Sequence, residues 1–517
     1  MTHYMTRLLK KILLIVLPFL AALAIVSNTF DGDLGWHLRF GQEAWAGNFQ
    51  YLDSWTYTFF SQPWVNHEWG GDLLFWFFYD KFGYFSLNLL VALALASAFF
   101  ITQKTFFKKL SPADWLLALA FILSVKFLLV ARLAMLAPLF FALLWLTLEK
   151  LPNKKTYYWW PLILWAWSAL HGSWILGFIL INIYLVGNAV AYFLNKKFPS
   201  LAGKNTGWTV TTFKNAILWQ IISAAVVCLN PYGWKIWSEI AGYFLGGGYF
   251  KLFINEWLPS WTYPVYPWPL IIAAAGAVFV FLGWRGKKIS LAQGLLFIAL
   301  LTTALLHKRN NIFIVLVCLP LASGVWREIK ERMNYRPRPM LASIIIIAVA
   351  GLAGVFFLTK IHYSADIWRD DLLKRYPFPI GATEFLKQKT AGQQVKIFNE
   401  FWWGGYLNWT LPNALVFLDG RGTATWLDAN GSPLLAEYRK IKFEEGELNK
   451  ISAQYIILNK NHYGYPQPDR LNRIIFDKND FAKLFPQKKS ALEEELTQNA
   501  EWTKIYDDGA AAIWEKK

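Results

Sequence analysis

Charge is what this sequence has least of. Charged residues fill 16% of its 517 positions, where a soluble chain carries about a quarter. That deficit excludes an ordinary water-soluble enzyme of this size. Acids are the scarcer sign, 34 against 51 basic residues. Cysteine is nearly missing: Cys228 and Cys318 both lie inside apolar runs, which argues against a disulfide framework. No internal repeat and no low-complexity segment is visible. The start of the chain lacks a good cleavage site. Arg7, Lys10 and Lys11 lead into apolar Ile12 to Val26, and Ser27-Asn28-Thr29-Phe30 follows, so this stretch reads as a retained first helix.

What is there is 56% hydrophobic and 18% aromatic. Apolar runs that cross or nearly cross a bilayer lie at about 11–27, 85–103, 115–131, 133–148, 159–172, 174–194, 213–229, 266–284, 291–306, 310–325 and 340–358. The expected fold class is a polytopic α-helical membrane protein of about eleven transmembrane helices, with tight pairs near Arg132 and His171. Alternate connections hold twenty-one basic residues against seven. The positive-inside rule then places the N-terminus in the cytoplasm and the C-terminal region outside. Residues 1–359 form the expected transmembrane domain, with outer loops 28–84 and 230–265. Residues 360–517 carry ordinary charge and alternating apolar segments at 395–398, 414–418 and 455–458. With helical stretches at 380–389 and 490–498, they read as a soluble extracytoplasmic α/β domain.

The first outer loop opens with Asp31-Gly32-Asp33. Two such carboxylates at a membrane surface can ligate a hard divalent cation or supply a general base; taken alone, a turn with solvated acids is the commoner outcome. His37 and Arg39 follow, and a helix there would bring Asp33, His37 and Glu43 toward one face. The aromatic residues of the loop suit an interfacial helix or stacking on sugar rings. Asp53 reads as a structural loop residue. Further ionisable groups fall on the same side: Lys126, Arg132, His171, Glu256 in Asn255-Glu256-Trp257, and Lys308 with Arg309 in His307-Lys308-Arg309-Asn310-Asn311. Each is as readily a helix-end anchor. Together they suit a site where acids activate an acceptor and cations hold a phosphate.

These residues carry a resemblance. An acidic motif straight after helix one resembles the GT-C superfamily, integral-membrane glycosyltransferases that use polyprenyl-phosphate-linked sugars. The chain is similar to the catalytic subunit of oligosaccharyltransferase in several places: Asp33 with Arg39 six residues on, Asn255 to Trp261, Arg309, and Trp402-Trp403-Gly404-Gly405-Tyr406. It resembles still more closely a group of uncharacterised bacterial membrane proteins. Those matches are Asp33 to Gly41, Trp64 to Trp69 with Glu68 inside it, His171-Gly172, Asn230 to Trp234, and Leu418-Asp419-Gly420-Arg421. Two departures stand out: Trp402 to Gly405 lacks the family's Asp, and no second acidic motif lies around Arg132.

The resemblance implies a GT-C-like fold in the bacterial cytoplasmic (inner) membrane. It implies inverting transfer from a polyprenyl-phosphate-linked sugar to a protein, lipid or glycan acceptor on the outer face. Asp33, Asp31 and Glu256 would be catalytic, or would hold a divalent cation, Mg or Mn. Arg309, Lys308 and Arg132 would bind the donor phosphate. His37, Arg39, His171 and Glu68 are second-tier candidates, and Trp402, Trp403, Tyr406, Asp419 and Arg421 form a motif toward the acceptor. Membrane lipids are expected partners and nucleic acid is not. Alternatives are a lipid or polysaccharide transporter or flippase, and a non-enzymatic envelope scaffold.

Overall fold

The computed structural model describes residues 30–151, 153–197, 207–245, 254–286, 288–333, 378–422, 425–428, 430–460 and 490–517, together with Phe19, Ala22, Leu23, Val26, Asn472 and Ile474. Most of the first apolar run, all of the last (340–358), and the expected domain boundary at 359/360 lie outside the described residues.

Among the described residues, six helices are long and apolar enough to cross a membrane: Tyr84–Phe106, Leu133–Lys150, Gly172–Lys197, Val210–Val227, Pro267–Arg285 and Lys308–Arg332. The helices Ala113–Ser124 and Leu291–Leu306 are apolar but shorter. The expected count of eleven spans is therefore not reached by these residues. The run at 115–131 stops as a helix at Ser124 and passes into a 3-10 turn, Lys126–Leu128. The run at 159–172 ends at Leu170, with His171 extended. Val210–Val227 and Pro267–Arg285 turn Ile217, Ile221, Val278 and Phe281 outward, each half exposed or more. That surface suits lipid rather than water.

The C-terminal region forms a five-stranded sheet in the order β2-β1-β3-β5-β4. Here β1 is Val395–Asn399, β2 Ala414–Val416, β3 Tyr455–Asn459, β4 Trp502–Asp507 and β5 Ala511–Lys516. Strands β2, β1 and β3 run parallel, and β5 and β4 close the sheet antiparallel. Period-two alternation sends Ile397 and Ile457 to one face, against Ala382, Leu386, Tyr406 and Leu407. It sends Phe398, Ile456 and Leu458 to the other, as the pleat requires. That second face packs against the first loop through Trp36, Phe40, Trp55 and Trp64.

The loop also covers the open edge of β2. Val416 donates its N–H to the Trp55 carbonyl, and Tyr57 donates to the Val416 carbonyl, both at 3.0 Å. A paired edge cannot recruit another chain. The chain leaves β1 at Phe401 and Trp402, and β2 at Gly420 and Arg421. Ligands of parallel sheets gather at these carboxyl ends, and here they face the helical body.

Candidate active site

Four breaks in the helical body meet at one place. They are the turn at Asp31–Asp33 before helix Leu34–Trp45, the irregular stretch 125–132, the extended His171, and the 3-10 turn Lys308–Asn310. A helix break frees backbone groups and lets a side chain point away from the bundle. Together with Phe401, Trp402, Gly420 and Arg421 from the sheet, these breaks enclose a cavity of about 350 Å³. Its aromatic wall includes Trp36, Trp64, Tyr243, Trp257 and Tyr266.

Asp33 lies at the start of its helix without capping it. A carboxylate at this position commonly accepts a backbone N–H of the first turn; here it faces the cavity. Its Oδ1 is so close to Gly420 that a methyl group there would sit 1.8 Å away, so a larger residue at 420 would displace the carboxylate. The same tightness holds a few residues on, where a Cβ on Gly35 would lie 2.1 Å from the Gly405 carbonyl. Burial, then the charge of Asp31, raises the Asp33 carboxyl to about 6. Its side chain is exposed at the cavity, where solvent screens part of that effect.

Arg132 joins two acids from distant loops. One nitrogen lies 2.8 Å from Asp31 Oδ2 and the other 2.5 Å from Glu256 Oε2. Arg309 is more loosely held. Its guanidinium stacks 4.3 Å over Trp257 and is 3.8 Å from Glu256 Oε1. Lys308 also lines the cavity, but it is almost wholly buried, and its ammonium donates to Asn255 Oδ1 at 2.6 Å and to the Tyr263 carbonyl at 3.1 Å. It fastens the 255–263 loop to the start of its own helix.

Behind Asp33 runs a chain of titrating groups. His37 Nδ1 is 2.5 Å from Asp72 Oδ1 and its Nε2 is 3.5 Å from Glu68 Oε2. Glu68 Oε1 is 3.3 Å from His171 Nε2. Burial alone would strip His37 of its proton, but Asp72 outweighs it and the ring holds the proton up to about 9. Burial raises Glu68 to about 7 and lowers His67 to about 4.

The structure thus brings Asp31, Asp33, Glu256, Arg132, Arg309, Lys308, His37, Glu68, His171, Trp402 and Arg421 to one place. It does not bring all the expected residues. Arg39 turns away: it donates to Glu43 Oε1 and to the carbonyls of Asn408 and Pro412, tying loop to sheet domain. Glu43 accepts from Arg39 and Gln50 rather than joining Asp33. Trp403 and Tyr406 are core residues of the sheet domain. Asp419 is buried against Asn408 and Arg421. Arg421 reaches the wall but is locked by Asp53 and Asp419. Asp72 and His67 went unsuspected, since an acid inside a helix and a lone loop histidine carry no local signal.

Two of the three acids expected to hold a divalent cation, Asp31 and Glu256, are paired with Arg132. A guanidinium lies between Asp31 and Glu256, and among the described residues no three His, Cys, Asp or Glu side chains are grouped to hold a metal ion.

No protein-family model and no curated protein matches the chain. Among solved structures it is similar to the archaeal oligosaccharyltransferase AglB from Archaeoglobus fulgidus in complex with an inhibitory peptide and a dolichol-phosphate. The identity is 11%, 98% of this chain and 74% of that chain are covered, and the TM-score is 0.49, a likeness too slight to transfer an activity.

Proposed function

We propose that the cavity is the active site of a GT-C-type membrane glycosyltransferase. It moves a sugar from a polyprenyl-phosphate-linked donor to an acceptor with inversion, on the outer face of a bacterial cytoplasmic membrane. The observation that carries this reading is the pairing in one cavity of a carboxylate engaged in no ion pair among the described residues, Asp33, with a loosely held guanidinium, Arg309. The acceptor is a protein, lipid or glycan bearing a hydroxyl or amide. Asp33 takes its proton as the nucleophile attacks the anomeric carbon. The bond from that carbon to the phosphate oxygen breaks on the opposite face, and its electron pair stays on the departing polyprenyl phosphate. Arg309 meets the charge growing there, where a fixed cation in low dielectric acts strongly. A carboxyl raised toward neutrality suits the proton transfer, and the aromatic wall suits a sugar face.

The test is transfer from radiolabelled polyprenyl-phosphate sugars by purified protein in lipid vesicles. Turnover that Asp33→Asn abolishes supports the reading. Movement of intact donor across the bilayer, with the sugar still attached, would replace it with a transporter.

A further inference from the structure

We propose that Arg132 is the resident cation of this site, supplying from the chain itself the positive charge that would otherwise come from a divalent ion. The proposal builds on the glycosyltransferase reading only for what the site does; the placement of charge stands by itself. Asp31 and Glu256 approach the same guanidinium on two different nitrogens, at 2.8 and 2.5 Å. Each gives up one carboxylate oxygen to it. Such planar, charge-assisted contacts fix two carboxylates in direction as well as distance.

The position of Arg132 is built by the fold. Helix Pro112–Ser124 ends early, and a 3-10 turn and an extended stretch bring Arg132 in just ahead of the next helix. Arg309, 3.8 Å from the other Glu256 oxygen, completes a set of two acids and two arginines. A doubly charged ion entering between Asp31 and Glu256 would have to expel a guanidinium tethered to the backbone. The arrangement also divides the labour among the carboxylates. Asp31 and Glu256 are occupied by Arg132, and Asp33 is left to accept the acceptor's proton. Unlike a metal ion, a guanidinium has no coordination site to offer, so it holds the site without binding the nucleophile.

Melting of the full chain in lipid nanodiscs, in excess Mn2+ and in EDTA, with Mn2+ paramagnetic resonance in parallel, tests this without any sugar donor. The wild type should melt at the same temperature in both and show only free Mn2+. Arg132→Ala leaves two carboxylates facing each other and should acquire a Mn2+ site. That would appear as a bound signal and a rise of a few degrees, both removed by adding Asp31→Asn. A Mn2+-dependent rise in the wild type that Asp31→Asn abolishes would overturn the proposal, as would a folded Arg132→Ala indifferent to Mn2+. The wild-type titration needs no variant, so a failure of Arg132→Ala to fold leaves the question decidable. Because the readout is ion binding, its failure is distinguishable from failure of the glycosyltransferase reading.

Discussion

Arg421 and Arg132 each hold two carboxylates, and both touch the same cavity. Arg421 is sealed: its side chain is 1% exposed, with Asp53 and Asp419 at zero. Trp55, Trp64 and Trp426 surround it, 4.3 to 5.1 Å from the guanidinium. Arg132 is open, 29% exposed, with Asp31 at 12% and Glu256 at 21%. The sealed cluster joins a membrane-side loop to the sheet domain. The open one keeps charge where a ligand can meet it. The same residue types therefore form a closed fastener in one place and a solvent-reachable cluster in the other.

The strongest way to test that division is Asp33→Asn, which keeps shape and most hydrogen bonding beside the open cluster. Sugar transfer should fall about a hundred- to ten-thousandfold while the protein still purifies and melts cooperatively. Arg421→Met, in the sealed cluster, should do the reverse. It leaves Asp53 and Asp419 buried without a counter-charge, a loss of about 3–5 kcal/mol visible in thermal unfolding. Asp53→Asn should also destabilise, as befits a structural loop residue paired with Arg421. If Arg421→Met melts like the wild type, the fastener is redundant and the comparison fails.

Arg309→Ala should cost donor use about ten- to a hundredfold, or about 1.5–3 kcal/mol. Glu256 keeps Arg132, so melting should be little changed; donor titration checks both. The smallest effect concerns pH. Asp33 holds its proton more tightly when folded, at about 6, than an ordinary aspartate, at 3.8. Folding stability should therefore fall as pH rises between those values and stay reduced above 6. Asp33→Asn should remove that loss, gaining about 1 kcal/mol at pH 8 after screening by cavity water and nothing below pH 4. Melting curves at both pH values would show it. Equal curves at pH 8 would mean that cavity water solvates Asp33 fully.

Much of the fold was legible because it is local. Apolar length marked the helices, and alternation marked β1 at 395–398 and β3 at 455–458 to within a residue. Part of the candidate site was legible because several ionisable residues, Arg132, Glu256 and Arg309 among them, fall on one side of the expected topology, although each alone could be a helix-end anchor. What could not be read was pairing across the chain. Arg39 and Arg421 look alike in sequence to a ligand-binding arginine; only the Asn408 and Pro412 carbonyls, and Asp53, decide otherwise. The early end of the helix at Ser124 was hidden because Val125 to Val130 is as apolar as the helix before it. Hydropathy reports burial, not direction.

The contact between Asp33 and Gly420 has a consequence in time. The carboxylate is made first, and the glycine that confines it emerges about 390 residues later. At about 5–20 residues per second that is a wait of roughly 20–80 s. Throughout it, the first loop has neither its sheet edge to cover nor its wall to lean on. A chain that stops early, at any point before the sheet domain, therefore leaves the pocket without this wall. Synthesis of the sheet domain becomes a condition of a closed cavity, enforced by the order in which the wall is delivered.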